Sequence, residues 1–361
     1  MASVPELIDF LRLTVEWDGS DLHLKAGGPG YIRVSGQLCE VTHLGRLLPA
    51  DTEAFVEQIL PESQRALFAA GREADFAHSV PGLGRFRVAA FRQRGSVGLV
   101  LRRVQPGSQT LEELQMPAAV RKVAEEHRGL VLVTGPTGAG KTTTTAAMIG
   151  HINANRRCHI VTVEDPIEIL HHDNLAIVDQ REVGVDTTDF ATALRSVARQ
   201  DPDVIFIGEM RDLETVSSAL QAAETGHLVM STLHTTDATE TVNRIIDMYP
   251  PHQQKQARIS LANTLRGVVS QRLVPTTNGG LVAAIEVLVM TARLREFVLD
   301  SDRTDLIPDA IAEGEYYGMQ TFDQHLLQLY SDGVVSMDAA LDAASSPHDF
   351  RIAVRSLGAV H

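Results

Sequence analysis

The residues best suited to chemistry are Gly135, Pro136, Thr137, Gly138, Ala139, Gly140, Lys141 and Thr142. In that order they satisfy the phosphate-binding pattern G-x-x-x-x-G-K-[ST] without a mismatch. Glycines let successive backbone N–H groups turn inward around phosphate oxygens, and a helix starting here adds the positive end of its dipole. Lys141 would reach the β- and γ-phosphates, Thr142 would hold Mg²⁺, and Thr143 completes the nucleotide-binding set. Nucleotide binding needs only this loop. Hydrolysis needs further groups, and the chain offers several.

Two acids stand where strands should end. Ile160 to Val163 runs into Glu164, Asp165 and Pro166, and Val204 to Ile207 runs into Gly208 and Glu209. In an open parallel sheet, ligands sit at the carboxyl ends of the strands, so both acids would lie near a bound triphosphate. Glu209 ends an apolar run in the manner of a Walker B acid, suited to Mg²⁺ through its water shell or to orienting the attacking water. Asp203 opens that strand and should point away from the site. His227 and His234, seven residues apart around a third apolar run, are expected to sense the γ-phosphate by hydrogen bonds; no third ligand shares their spacing, which argues against a metal site. Between Phe76 and Leu111 there is no acid, but six arginines: Arg85, Arg87, Arg92, Arg94, Arg102 and Arg103. Nothing within the segment pairs them, and the guanidinium fork suits phosphate. A neighbouring subunit's nucleotide is a reasonable target for such an arginine.

These groups need elements to position them. Gly129 to Thr134, apolar and β-branched, reads as a buried parallel strand before the loop, and Thr142 to Ile152 as the helix after it. Strand-like runs recur at 158–164, 203–208 and 227–231, each followed by a loop and a helix, which predicts a parallel sheet covered by helices on both faces. From about 292 onward the pattern is helical, over 292–300, 304–313, 321–331, 336–343 and 347–355. Upstream, a helix over 4–16, strands over 21–25 and 31–34, two short helices within 51–70 broken at Pro61, and strands over 84–92 and 98–102 make a small α+β domain. Gln105 to Gln109 is a turn-forming linker.

Composition is that of a globular protein, with 44% apolar and 22% charged residues among 361. The two cysteines, Cys39 and Cys158, are far apart, so neither a disulfide framework nor a zinc knuckle is expected. No basic n-region opens the chain, and no apolar run reaches the 18 residues of a membrane span. Residues 1–110 hold 12 basic and 12 acidic residues, while the remainder holds 20 and 34 and so carries the whole net charge of −14. That balance argues against a nucleic-acid partner.

The Walker A loop, Glu164-Asp165-Pro166, Arg199 to Asp203 leading to Gly208 through Asp212, and Gly226-His227 to His234 stand in the order of the type II/type IV secretion ATPase superfamily. Leu265 to Gln271, Gly318 to Asp323 and Pro347 to Arg351 narrow the match, and the chain resembles the PilT-like twitching-motility ATPases over nearly its whole length. The resemblance implies an α/β architecture: a PAS-like N-terminal domain over 1–104, a linker over 105–116, and a RecA-like P-loop ATPase domain over 117–361. It implies ATP and Mg²⁺ as cofactors, a homo-hexameric ring, and retraction of type IV pili from the cytoplasmic side of an inner-membrane platform protein, alongside a paralogous pilus ATPase. By the same matching, Glu164 looks like the water-activating carboxylate, Glu209 the Mg²⁺-associated one, and Arg87 and Arg102 the trans fingers, with Arg103 an alternative to Arg102. One segment departs from the family's pattern: Ala310-Ile311-Ala312-Glu313-Gly314-Glu315 lacks the arginine of an Ala-Ile-Arg-Ala-Gly-Ala-type stretch. An accessory nucleotide-binding ring, an extension or secretion motor, and a DNA-transfer ATPase are the other readings.

Overall fold

Alternating polar and apolar residues build an antiparallel sheet in the first part of the chain. The computed structural model describes residues 6–358, so Val4 and Pro5 of the expected first helix lie outside the described residues. Helix α1 (Leu7–Glu16) buries Leu7, Phe10 and Leu11 along one stripe. Strands β1 (Asp21–Lys25), β2 (Gly30–Val34) and β3 (Gln37–Val41) follow, then helices α2 (Pro49–Ile59) and α3 (Glu62–Ala69), then β4 (Ala74–Val80), β5 (Gly84–Gln93) and β6 (Ser96–Arg103). The six strands pair antiparallel in the order β3-β2-β1-β6-β5-β4. Leu22, Leu24, Ile32, Val88, Leu99 and Leu101 share a core with α1 and α2. The alternate positions, including Asp21, Arg87 and Arg102, point to the other face. Gln105–Pro106, β7, pairs in parallel with a two-residue strand from later in the chain, β10 (Ile169–Leu170), and both belong to this first unit.

The second unit comprises residues 107–167 and 171–361. After α4 (Ala118–Ala124) come β8 (Gly129–Thr134), α5 (Lys141–Asn155), β9 (His159–Glu164), β11 (Ile177–Glu182), α6 (Phe190–Val197), β12 (Val204–Ile207), α7 (Leu213–Glu224), β13 (Leu228–Leu233), α8 (Ala238–Asp247), α9 (Pro251–Thr264), β14 (Leu265–Pro275) and β15 (Leu281–Val289). Their order in the sheet is β11-β9-β12-β13-β8-β14-β15. Six strands run parallel, as the alternating pattern predicts. β15 is antiparallel because it returns from β14 through a hairpin, in which Gly280 accepts from the Thr276 N–H. Strands β8, β12 and β13 are buried end to end, and separate apolar clusters lie on the two faces.

The remainder is helical: α10 (Ala292–Leu299), a 3₁₀ turn over Ser301–Leu306, α11 (Ile307–Ala312), α12 (Phe322–Ser331), α13 (Met337–Ala343) and α14 (Pro347–Gly358). The single helix expected over 304–313 is two elements, because Pro308 has no N–H to give and so begins a helix rather than sitting inside one. Phe322, Leu326, Ala340 and Phe350 pack with Val274 and Ala284, fastening the C-terminal helices to the far end of the β14–β15 hairpin.

Candidate active site

The sheet order reverses at β8, whose neighbours are β13 and β14, and the glycine loop leaves the carboxyl end of β8 at this switch point. Gly135 has φ 149°, and a Cβ there would lie 2.4 Å from the carbonyl oxygen of Gln271. Gly140 has φ 86° and caps α5 in a left-handed conformation. Both positions need glycine. The loop is fastened to β14 from behind: Gln271 Nε2 donates to the Ala139 carbonyl, and the Thr134 hydroxyl donates to Ser270 Oγ at 2.9 Å.

Lys141 opens α5. Its Nζ donates to the carbonyls of Gly135 at 2.7 Å and Pro136 at 3.0 Å, and lies 3.3 Å from His234 Nδ1. Burial holds this ammonium below the usual lysine value, with the Glu209 carboxylate working against that shift. His234 Nε2 is 3.2 Å from Glu209 Oε1, and Glu209 Oε2 is 2.8 Å from Arg211 Nε. With Lys141 donating, Nδ1 is the acceptor, and Nε2 carries the proton that Glu209 accepts. Sheet order explains the chain of contacts. β13 lies between β8 and β12, so the residue just past its tip stands between those past the other two. Thr142 and Thr143, in the first turn of α5, are exposed and half-exposed.

Glu164 stands at the tip of β9, one strand beyond β12 and away from the glycine loop. Its Oε1 accepts from Thr162 Oγ1 at 2.6 Å and from Gln180 Nε2, on β11, at 3.1 Å. β9 stands three strand spacings from β8, about 14 Å. His227 is not brought to the loop of its own chain. It precedes β13, its Nδ1 lies 2.9 Å from the Ala222 carbonyl oxygen, and its own carbonyl accepts from the Gly129 N–H at 2.9 Å. An extended strand of six residues carries its two ends about 20 Å apart, so histidines bracketing it belong to opposite ends of the sheet. Asp203 is at that same far end, accepting from the His159 N–H at 2.9 Å, as its place before β12 predicts.

The arginines of the first unit are less alone than their acid-free segment suggests. Arg92 pairs with Glu53 at 2.9 Å, Arg102 with Asp21 at 2.8 Å, and Arg103 with Asp18 at 2.9 Å. Strand pairing and helix packing supply the acids from elsewhere in the chain. Arg87 is exposed, and its side chain makes no hydrogen bond or ion pair among the described residues. It stands directly across from Arg102, which stands across from Asp21, which stands across from Arg33. Burial pushes the Asp21 carboxyl up, but hydrogen bonds from Arg102 and Ser20 more than reverse this and leave it below the usual carboxylate value.

Beside the glycine loop opens a cavity of about 560 Å³, walled by Pro136 to Ala139, by Arg272 to Pro275 of β14, and by Ala339, Asp342 and Ala343 of α13. This is room for a nucleoside next to a phosphate loop. The side chains that sequence reading passes over here are Thr162, Gln180, Ser270 and Gln271. Each is a polar residue inside a strand; Thr162 and Ser270 interrupt apolar runs, which was the available signal, whereas Gln180 lies between Asp179 and Arg181 and gives none.

A family model described as type II/IV secretion system protein matches residues 75–300. The chain is 43% identical over 345 residues to the type IV pilus retraction ATPase PilT of Pseudomonas aeruginosa, covering 96% of this chain and 100% of that one. It is 44% identical to the type IV pilus ATPase PilU of the same organism, over 97% of this chain and 91% of that one. The crystal structure of the pilus retraction motor PilT with bound ADP superposes with a TM-score of 0.85 at 41% identity, covering 96% of this chain and 98% of that one. The chain belongs to the type II/IV secretion system protein family, and it is an ATP hydrolase of that family.

Proposed function

We propose that this protein is a pilus motor: a hexameric ring that couples ATP hydrolysis to retraction of type IV pili. Full-length likeness to two pilus ATPases carries this reading. Phosphates would lie on the glycine loop, with Lys141 turning from the loop carbonyls to the β- and γ-phosphates and the nucleoside in the cavity beside β14. His234, already touching Lys141 and Glu209, would report the γ-phosphate to both. Glu164, held by neutral donors, would take the proton of the attacking water.

Among the described residues no cluster of three His, Cys, Asp or Glu side chains is arranged to hold a metal. Mg²⁺ suits the oxygen donors at hand, because at nucleotides it takes few protein ligands and keeps phosphate oxygens and water. Thr142 Oγ1 and, through water, Glu209 would hold it, and it would neutralise charge developing between the β- and γ-phosphates.

Arg87, exposed and unpaired, is the better candidate for a finger reaching a neighbour's nucleotide, with Arg102 second because Asp21 already engages it. His227 would contribute only to a contact at the far end of the sheet. No helix among the described residues is long and apolar enough to cross a membrane, in keeping with a ring docked on an inner-membrane platform protein from the cytoplasmic side. Phosphate release by the purified protein, and twitching in cells whose own retraction ATPase is deleted, test the reading together. Lys141→Ala should abolish both; undiminished hydrolysis in that variant would end the assignment of the site. A second reading, an accessory ring or an extension or secretion motor, is favoured by the missing arginine in Ala310–Glu315 and by the equal likeness to PilU. Hydrolysis without rescue of twitching would select it.

A further inference from the structure

Glu286 lies in the middle of β15 and is buried, with 7% of its surface exposed. It stands directly across from Ser270 in the β14–β15 pair, and the Ser270 hydroxyl helps to lower its carboxyl. Its Oε1 also accepts from the Ala238 N–H at 2.9 Å, the first amide of α8. That helix does not need the carboxylate as a cap, since Asp237 already accepts from the Glu240 N–H at 2.8 Å. The charge is expensive where it stands. Burial pushes the Glu286 carboxyl up to about 7, and the Ala238 amide only partly opposes this. Asp237 at the α8 end raises it further, while Arg272 of β14 and Ser270 lower it. His325 of α12, bonded to the neighbouring Ile285 N–H, is held neutral by burial, at about 4. The α4 helix packs on the opposite face with Ile285 and Val287, and its Arg121 and Lys122 are exposed.

The contacts around Glu286 close a circuit. Thr134, the last residue before the glycine loop, donates to Ser270, and Ser270 faces Glu286 across the strand pair. Glu286 holds the start of α8. The turn before α8 is laced to that helix, with Thr235 Oγ1 2.6 Å from Thr241 Oγ1 and the Thr236 N–H donating to Glu240 at 2.7 Å. At the other end of that turn His234 lies against Lys141, which is bound to the glycine loop.

We propose that Glu286 is a positioning residue for ATP hydrolysis, fixing the turn that carries His234 in register with the glycine loop. It touches no substrate and acts through the two elements it ties together. A buried carboxyl is a costly tie where an apolar residue of similar size would be more stable, and only an acceptor can bind the α8 amide while standing against Ser270. The proposal rests on His234 acting at the γ-phosphate.

The test compares Glu286→Leu, Glu286→Gln and His234→Ala with the parent as purified full-length chains. Steady-state phosphate release gives kcat and KM for ATP, a fluorescent ADP analogue reports binding, and thermal melting reports folding. Glu286→Leu should lose kcat about tenfold or more, the scale of one charge-assisted hydrogen bond, with analogue binding nearly unchanged. Glu286→Gln keeps the acceptor oxygen and should restore most of kcat. Unchanged kcat in a folded Glu286→Leu protein overturns the proposal. So does parallel loss of kcat, binding and melting temperature in both Glu286 variants, which marks a purely structural residue. Full activity in His234→Ala would instead overturn the reading of His234 on which the proposal rests.

Discussion

Two carboxylates end neighbouring strands of the same sheet and are held in opposite ways. Glu209 lies between His234 and Arg211, so its partners are a ring N–H and a guanidinium. Glu164, one strand further out, is held by the Thr162 hydroxyl and the Gln180 amide, neutral dipoles both. A carboxylate beside a guanidinium and a ring N–H suits a metal's water shell. A carboxylate that accepts from a hydroxyl and an amide is oriented by them and keeps a lone pair it can give to a proton. The difference sorts two acids that sequence alone makes look alike. The order β9-β12-β13-β8 enforces it, since of the two acid-bearing strands only β12 neighbours β13, whose tip carries His234.

The largest effect should come from exchanging the acids' charge. Glu164→Gln is expected to bind ATP and lose kcat by ~10²–10⁴, the range for a removed general base, with its Mg²⁺ requirement unaltered. Glu209→Gln should instead raise the Mg²⁺ concentration needed for half-maximal rate. Titrating Mg²⁺ against phosphate release for both variants checks this, and identical Mg²⁺ curves would break the comparison.

A third carboxylate sharpens it, because Glu286 has no role at the ligand's surface. Its folded value is raised from 4.5 to about 7. The stability it contributes is therefore fully present below about pH 4.5 and is lost as pH rises through about 7. Against Glu286→Gln, the parent should lose about 3 kcal/mol over that window. Denaturant unfolding of both proteins between pH 4.5 and 8 measures it, and a pH-independent difference would show that the group titrates alike in the folded and unfolded chain. The smallest effect belongs to Thr162→Val, which removes one of the hydrogen bonds that orient Glu164. A kcat lowered by about tenfold, with KM unchanged, is expected from one lost hydrogen bond to a charged acceptor; a shift in KM instead would place Thr162 in nucleotide binding.

Much of this was legible beforehand. The glycine loop, the strand before it and the helix after it follow from residue type and spacing, as do the tips that carry Glu164 and Glu209. β3, β4, β11, β14 and β15 were not recognised. β3 is mostly exposed and β11 alternates weakly, so neither gives a clean period of two. β15 is buried on both faces, and its continuous apolar run, interrupted at Glu286, carries no period at all. Contacts between distant residues were beyond reach: Thr134 with Ser270, and Arg102 with Asp21, are 136 and 81 positions apart. For His227, spacing gives the length of the strand and not which end faces the ligand.

The row Arg33, Asp21, Arg102 and Arg87 runs across four strands of the first unit with one anion for three guanidiniums. The surplus is a field rather than a bond. It reaches about 10 Å in 0.1 M salt and about three times as far in a tenfold more dilute buffer. The apolar core beneath it, built on Leu22, Leu99 and Leu101, has no such dependence. Ionic strength therefore acts on this one sheet unequally, leaving its inner face as it was while tuning how strongly its outer face draws an approaching anion.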